Sequence, residues 1–291
     1  MFISLDHLGK DFRKKPAALD DVTLDLPQGM IGLLGSNGAG KTTLMRILCG
    51  IIPPTRGRVL VDGHDLADAG ARRVLKKALG YLPQDVEPYP NLTPLEFLDY
   101  VGVLKGIDSS TERKRQAREL IARVGLSDAQ DRKVGGFSGG MRRRVGIAQA
   151  LMGDPELLIV DEPTAGLDPE ERMRFRTLLA SLGQDRTVIL STHIIDDVAQ
   201  TCPYVFVLRS GGLRFDGPTD VLIEAARGRT WLTAPRATPL PEHVTVVNAT
   251  TTGAGTQYRI VSDTPPEDAT PVEPNLEDGY MALTIDKENI S

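Results

Sequence analysis

The apolar stretch Met30-Ile31-Gly32-Leu33-Leu34 runs directly into Gly35-Ser36-Asn37-Gly38-Ala39-Gly40-Lys41-Thr42, and this GxxxxGK[ST] register narrows the possible folds more than any other segment. It reads as a strand, a glycine-rich loop and a helix start, the opening of a phosphate-loop α/β domain. The glycines let successive backbone N–H groups turn inward. A helix beginning near Lys41 aims its positive end at the same point, so the loop suits a nucleoside triphosphate. In that arrangement Lys41 bridges the β- and γ-phosphates and Thr42 holds Mg²⁺.

A second segment supplies carboxylates. Leu157-Leu158-Ile159-Val160 is an apolar strand that delivers Asp161 and Glu162 at its tip, about 120 residues after Lys41. Asp161 is placed to reach Mg²⁺ through water and Glu162 to polarise an attacking water. Consecutive side chains leave a strand on opposite faces, so both can face a nucleotide only if the backbone turns at that point.

The 291 residues suffice for one large α/β domain with a small appendage. No run approaches the roughly eighteen uninterrupted apolar residues of a membrane span, and Asp6, His7 and Asp11 stand where a signal peptide is apolar. Cys49 and Cys202 lack metal-ligand spacing, which favours a reducing cytosol and two inert packing thiols. The formal net charge of −5 lies wholly in residues 229–291, which hold nine acids and four bases, and residues 1–228 balance 30 against 30. A neutral domain with an acidic, Thr- and Pro-rich tail predicts a boundary near Gly228 and no nucleic-acid partner.

Along the chain, Ile3 to Leu8 and Ala18 to Leu26 alternate like antiparallel strands joined by Arg13-Lys14-Lys15-Pro16. Arg58 to Gly63 resembles a hairpin arm, and Leu79 to Leu82 a strand ending at Pro83-Gln84. From Thr93 to about Gly125 the period is helical, with Thr93-Pro94-Leu95-Glu96 predicting a capping box. The charged runs at 112–119 and at Arg142-Arg143-Arg144 read as solvated surfaces. Thr187-Val188-Ile189-Leu190 is a second continuous apolar strand, and together with Leu157 to Val160 it implies a parallel sheet covered on both faces. Beyond Gly228, short strands are expected near Trp231, Val244–Val247 and Tyr258–Val261, with a closing helix from Asn275 to Leu283.

Phe137-Ser138-Gly139-Gly140-Met141 gives the motifs a family resemblance. The chain is similar to the nucleotide-binding subunits of ABC transporters, whose signature most often reads LSGGQ; Phe137 and Met141 depart from Leu and Gln. The resemblance covers about residues 1–225 and implies the rest of a site. Phe12 lies where the family stacks an aromatic on adenine, and Gly35, Ser36, Asn37, Gly38, Ala39, Gly40, Lys41, Thr42 and Thr43 surround the phosphates. Gln84 resembles the glutamine that senses Mg²⁺ and the γ-phosphate. Ala165-Gly166-Leu167-Asp168 resembles the loop lying across the subunit interface, and His193 the switch histidine. Ser138, Gly139 and Gly140 would bind the γ-phosphate of ATP held by the opposite subunit, so one copy of each motif implies a dimer, expected here as a homodimer.

The fold expected on this basis is α/β: a phosphate-loop NTPase core with a mostly parallel sheet, an antiparallel β subdomain, a helical subdomain at about 85–135, and a small α+β domain at 229–291. The helical insertion is where transporter subunits of this family receive a membrane permease; Tyr89, Leu92, Leu95, Phe97 and Leu98 either line that groove or, the simpler reading for most of them, form the subdomain's own core. The tail segment Pro274 to Tyr280 resembles ATPases of the ABC-2 exporter group. The resemblance implies an ATP-hydrolysing subunit at the cytoplasmic membrane face, soluble in isolation. A soluble ABC ATPase acting on nucleic acid or the ribosome is the second expectation; such chains usually carry tandem domains or a coiled-coil insertion, and neither occurs here. A phosphate-loop kinase or GTPase would need an acceptor or base-recognition motif that the sequence does not display.

Overall fold

In a computed structural model the chain is described at residues 1–13, 16–164, 168–236, 240 and 244–285. The expected turn residues Lys14 and Lys15, and Ala165-Gly166-Leu167 of the interface loop, lie outside the described residues.

The chain opens with β1 (Ile3–Lys10) and β2 (Leu19–Leu26), antiparallel with Ile3 opposite Leu26. β3 (Met30–Leu34), buried throughout, feeds the glycine loop and α1 (Lys41–Leu48). β4 (Arg56–Val61) returns to pair with β1, then turns tightly through Asp62 and Gly63, at φ 48° and 81°, into β5 (His64–Asp65). These strands make the expected antiparallel subdomain, in the order β2-β1-β4-β5.

Next come α2 (Ala69–Ala78), β6 (Leu79–Leu82), and the helices α3 (Pro94–Leu104), α4 (Ser110–Arg123) and α5 (Gly139–Leu151). The predicted capping box at Thr93 and Glu96 is formed in both directions. Then follow β7 (Leu157–Asp161), α6 (Pro169–Leu182), β8 (Thr187–Ser191), α7 (Ile195–Thr201), β9 (Tyr204–Arg209), β10 (Gly212–Pro218) and α8 (Thr219–Glu224). The second sheet has the order β10-β9-β3-β8-β7-β6, parallel except for the edge strand β10.

The continuous apolar strands are explained by what covers them. Leu158, Val160, Val188 and Leu190 enter a core shared with α3 to α7, while Leu157, Ile159 and Ile189 enter a second core with α1 and the antiparallel sheet. Both faces of the parallel sheet are therefore dry, and strand residues of either parity are apolar.

Of the residues that could line a groove on the helical subdomain or simply form its core, Phe97 and Leu98 are core residues, while Tyr89 stays exposed, edge-on to Phe97 and Tyr100 at 6.1 and 5.8 Å. One expectation on this subdomain is corrected. Within the charged run of α4, Arg115 does sit outward between Glu112 and Glu119, but Arg113 turns inward to Asp99 at 2.8 Å and ties α4 to α3.

After Gly228 come β11 (Thr230–Thr233), β12 (Thr245–Thr252), β13 (Gly255–Val261) and β14 (Ala269–Pro271), an antiparallel sheet in the order β12-β13-β11-β14, and finally α9 (Leu276–Ile285). β14, a three-residue edge, has no signal in the sequence reading. The closing helix packs against α7 and α8, and Leu276 enters the main core. The buried Asp278 accepts from Arg259 Nη2 at 2.6 Å and from the Asn275 N–H at 2.7 Å, which fastens this helix to its own sheet.

Candidate functional site

The glycine loop, the tips of β6 and β7 and the segment after β8 enclose a cleft of about 500 Å³. Its floor is the start of α1. Gly40, at φ 108°, is the residue before that helix, and a Cβ there would stand 2.5 Å from the Ala18 carbonyl oxygen. Only glycine fits that approach. Lys41 is buried, with Nζ donating to the Gly35 carbonyl at 2.6 Å. Burial pushes its ammonium below the usual lysine value, while Glu162 and Asp161 draw it back.

Ser36, Asn37, Gly38, Thr42 and Thr43 line the cleft with Lys41, whereas Gly35 and Ala39 shape the loop from behind. Phe12 forms one wall, 42% exposed, with the Lys10 ammonium 5.4 Å from its ring centre. An exposed aromatic face at the mouth of a phosphate cleft is suited to stacking on a base.

Asp161 and Glu162 both face the cleft, and the backbone shows how. Glu162 sits at φ 47°, a left-handed conformation costing a non-glycine residue roughly 1–2 kcal/mol. The turn is held by its N–H donating to the Ser191 carbonyl at 2.8 Å. Without it, the two carboxylates would leave the strand on opposite sides. Burial pushes the Asp161 carboxyl above the ordinary range; the Glu162 charge adds to this, and Ser191, Lys41 and Arg46 oppose it. His193 reaches the same place from beyond β8, with Nδ1 2.7 Å from Glu162 Oε2. Gln84 completes the ring from the end of β6.

Ser138, Gly139, Gly140 and Asp168 lie outside this cleft. Ser138 caps α5, its Oγ accepting from the Met141 N–H at 3.2 Å, and Asp168 caps α6, its Oδ1 accepting from the Glu171 N–H at 2.8 Å. Ser138, Gly139 and Asp168 are exposed. The departures from the signature have a structural reason: Phe137 is 4% exposed and anchors the loop in the core, and Met141 packs against the same core.

Four residues to which the sequence reading gave no part in the site belong to its frame. Arg142, Arg143 and Arg144 are not a solvated turn. Their guanidinium groups donate to the carbonyls of Phe137, Gln84 and Gly125 at 2.6, 2.7 and 3.1 Å, because α5 runs beneath the loops that end there. Arg143 also donates to the carbonyls of Glu162 and, at 3.4 Å, Asp161. Asp197 on α7, 1% exposed, accepts from the Thr164 hydroxyl at 2.5 Å and lies 3.5 Å from Arg176 of α6. An acid four residues after a candidate histidine was the available signal, though nothing local marks it as buried.

Residues 19–165 match the family model described as ABC transporter, half of the chain. The chain belongs to the ABC transporter family. It is 37% identical over 221 residues to the ABC transporter ATP-binding protein NatA of Bacillus subtilis, which spans 75% of this chain and 89% of that one. It is 35% identical over 211 residues to the linearmycin resistance ATP-binding protein LnrL of the same organism, 72% of this chain and 67% of LnrL. With an uncharacterized ABC transporter ATP-binding protein of Nostoc sp. identity is 42% over 214 residues, 72% of this chain and 62% of that relative.

Among solved structures, a dimeric post-hydrolysis ATP-binding cassette bound to ADP and Pi superposes with a TM-score of 0.67 at 26% identity, covering 74% of this chain and 98% of the cassette. The ABC subunit described here is accordingly an ATP-binding and ATP-hydrolysing subunit of the transporter class, with the expected phosphate-loop NTPase fold. The expectation of a soluble reader of nucleic acid or the ribosome finds no support among these relatives. The family match ends before Asp168 and His193, so their placement rests on the fold described above.

Proposed function

We propose that two copies of this chain close head to tail around two ATP molecules, and that their closure and opening power export through separate membrane permeases. The observation that carries this is the split of the motifs: Lys41, Asp161, Glu162 and His193 share one cleft, while Ser138 sits exposed at a helix start outside it. A helix N-terminus with a free serine face suits the γ-phosphate of a nucleotide held elsewhere. The dimeric cassette that shares this fold supports the pairing, and likeness to a bacterial Atm1-family ABC exporter, at a TM-score of 0.65 and 25% identity, supports the export direction.

In this reading Phe12 stacks on the adenine, and the N–H groups from Gly35 to Thr43 with Lys41 bind the phosphates. Glu162 accepts the proton of the attacking water, and His193, Lys41 and the partner's serine balance charge developing on the γ-phosphate. His193 also fixes the Glu162 carboxylate, and Asp168 with Gly139 and Gly140 faces the partner. The Thr42 hydroxyl, the Gln84 amide and the buried Asp161 carboxylate form a hard oxygen donor set facing one cleft, which fits Mg²⁺. When bound, Mg²⁺ neutralises charge on the β- and γ-phosphates.

The permease in this proposal is a separate polypeptide, met on the cytoplasmic side, as the ATP-binding proteins among the relatives suggest. No helix among the described residues is long and apolar enough to cross a membrane. The domain division near Gly228 belongs to the same reading, with the tail sheet as an accessory unit.

The test is to trap Glu162→Gln with ATP in native membranes, solubilise gently and identify what co-purifies. A multi-span membrane protein supports the transporter role. Recovery only as a soluble dimer, or with ribosomes or DNA, overturns that role.

A further inference from the structure

We infer that Arg143 is a positioning residue that makes the hydrolytic groups of one cleft answer to the nucleotide in the other. This rests on the proposed head-to-tail dimer, in which Ser138 engages the partner's ATP.

Ser138 and Arg143 belong to one rigid element: Ser138 caps α5, and Arg143 lies on that helix. The Arg143 guanidinium reaches two loops of its own cleft at once. One arm, Nη1, donates to the Gln84 carbonyl at 2.7 Å. The other, Nη2, donates to the carbonyl of Glu162 and lies 3.4 Å from that of Asp161. A planar fork with fixed angles between its donors holds these two loops at a set separation, which a single ammonium on a flexible stem does not.

What the fork grips matters as much as its reach. Glu162 is in the left-handed conformation at φ 47°, and its peptide is held from both sides, by the Ser191 carbonyl on its N–H and by Arg143 on its C=O. Strained backbone persists only where its surroundings over-determine it. Gln84, the other residue held, lines the same cleft. The side chain is partly withdrawn from water, and burial pushes its guanidinium below the ordinary arginine value, against the pull of Asp85, Asp161 and Glu162. A shift of α5 on engagement of Ser138 is therefore delivered to the carbonyls of Gln84 and Glu162 together, through packed groups and without a flexible linker.

The expected signature is a loss in kcat with little change in ATP affinity, because the Arg143 hydrogen bonds go to the carbonyls of Gln84, Asp161 and Glu162 and not to the glycine loop. Arg143→Lys and Arg143→Ala are compared with wild type by the ATP dependence of hydrolysis and by thermal melting. Both are expected to lower kcat roughly 10- to 100-fold, as small misplacements of a catalytic group do. KM for ATP should stay within about three-fold. Wild-type kcat in Arg143→Lys overturns the inference, as does a loss in either variant that only tracks the folded fraction; if Arg143→Ala does not fold, Arg143→Lys alone decides.

The link to Ser138 is read from the double variant Ser138→Ala/Arg143→Lys. If both act in one chain of contacts, it loses no more than the worse single variant; multiplied losses overturn the link. Glu162→Gln supplies the separate control. If it forms no ATP-dependent dimer, the two-site reading itself fails; if it does and the Arg143 variants turn over normally, only the present inference fails.

Discussion

The imidazole of His193 and the carboxylate of Glu162 are in direct contact, Nδ1 to Oε2 at 2.7 Å, although 31 residues separate them. The His193 N–H points at the same oxygen from 3.4 Å. The carboxylate that would accept a proton from water thus has one oxygen engaged by His193, while the side chain faces the cleft.

This pair predicts different outcomes for its two members. Glu162→Gln keeps the shape and should keep ATP binding, but removing a general base lowers turnover about 10²- to 10⁴-fold and traps the ATP-closed dimer. His193→Ala leaves the base in place without its holder, so turnover should fall less than in Glu162→Gln. Single-turnover hydrolysis with radiolabelled ATP, alongside gel filtration, checks both; normal turnover in Glu162→Gln would falsify the base assignment.

Gly140 separates folding from assembly. The three atoms nearest a Cβ there all belong to the Glu171 carboxylate, and the end of that flexible side chain can move aside. Because alanine is the better helix former, Gly140→Ala should change stability by less than about 1 kcal/mol. If the partner's phosphates approach this helix start closely, the same variant should lose the ATP-dependent dimer. Urea denaturation and light scattering with ATP give the two readings; an unchanged dimer would mean that the surface does not meet a nucleotide.

Asp197 clamps three elements, taking the Thr164 hydroxyl, lying beside Arg176 and giving its own carbonyl to the Thr201 hydroxyl at 2.6 Å. Asp197→Ala leaves the buried Thr164 hydroxyl without its acceptor and removes the carboxylate beside Arg176, which keeps Gln200 as a partner, and should cost about 1–3 kcal/mol. Asp197→Asn keeps the acceptor for Thr164 and should cost less. Chemical denaturation of the three proteins decides, and equal stability of Asp197→Ala and wild type would show that the clamp does not hold.

The two thiols should be inert in the folded protein. Burial pushes both Cys49 and Cys202 up to about 12 from 9.0, so the fold favours the protonated form. Their contribution to stability is full below pH 9 and is lost as pH rises toward the folded value. At pH 8 an aromatic disulfide reagent should label neither cysteine until urea unfolds the chain, when both react. Rapid labelling of the native protein would contradict this burial.

Local chemistry was legible wherever contiguous residues set a backbone path. Gly35 to Thr42 fixes its own loop, Thr93 and Glu96 cap their own helix, and Asp62-Gly63 turns its own hairpin. The continuous apolar runs at β7 and β8 announced a sheet covered on both sides. Illegible were the destinations of charged side chains. Arg142, Arg143 and Arg144 look like any solvated triplet, and Asp197 like any surface acid, because desolvation is decided by elements far away in sequence: Gln84 lies 59 residues from Arg143, and Thr164 lies 33 from Asp197.

By itself, then, the sequence determined the phosphate loop, the apolar strands β3, β7 and β8, the capped start of α3 and the residue types around the cleft, since these follow from hydrogen bonding and side-chain periodicity over a few neighbours. The tertiary structure alone decided which acids share a cleft, which arginines turn inward, and that Leu276 of the last helix joins the main core. Those outcomes depend on long-range packing, which places one segment over another and sets which groups lose water and which backbone turns are held.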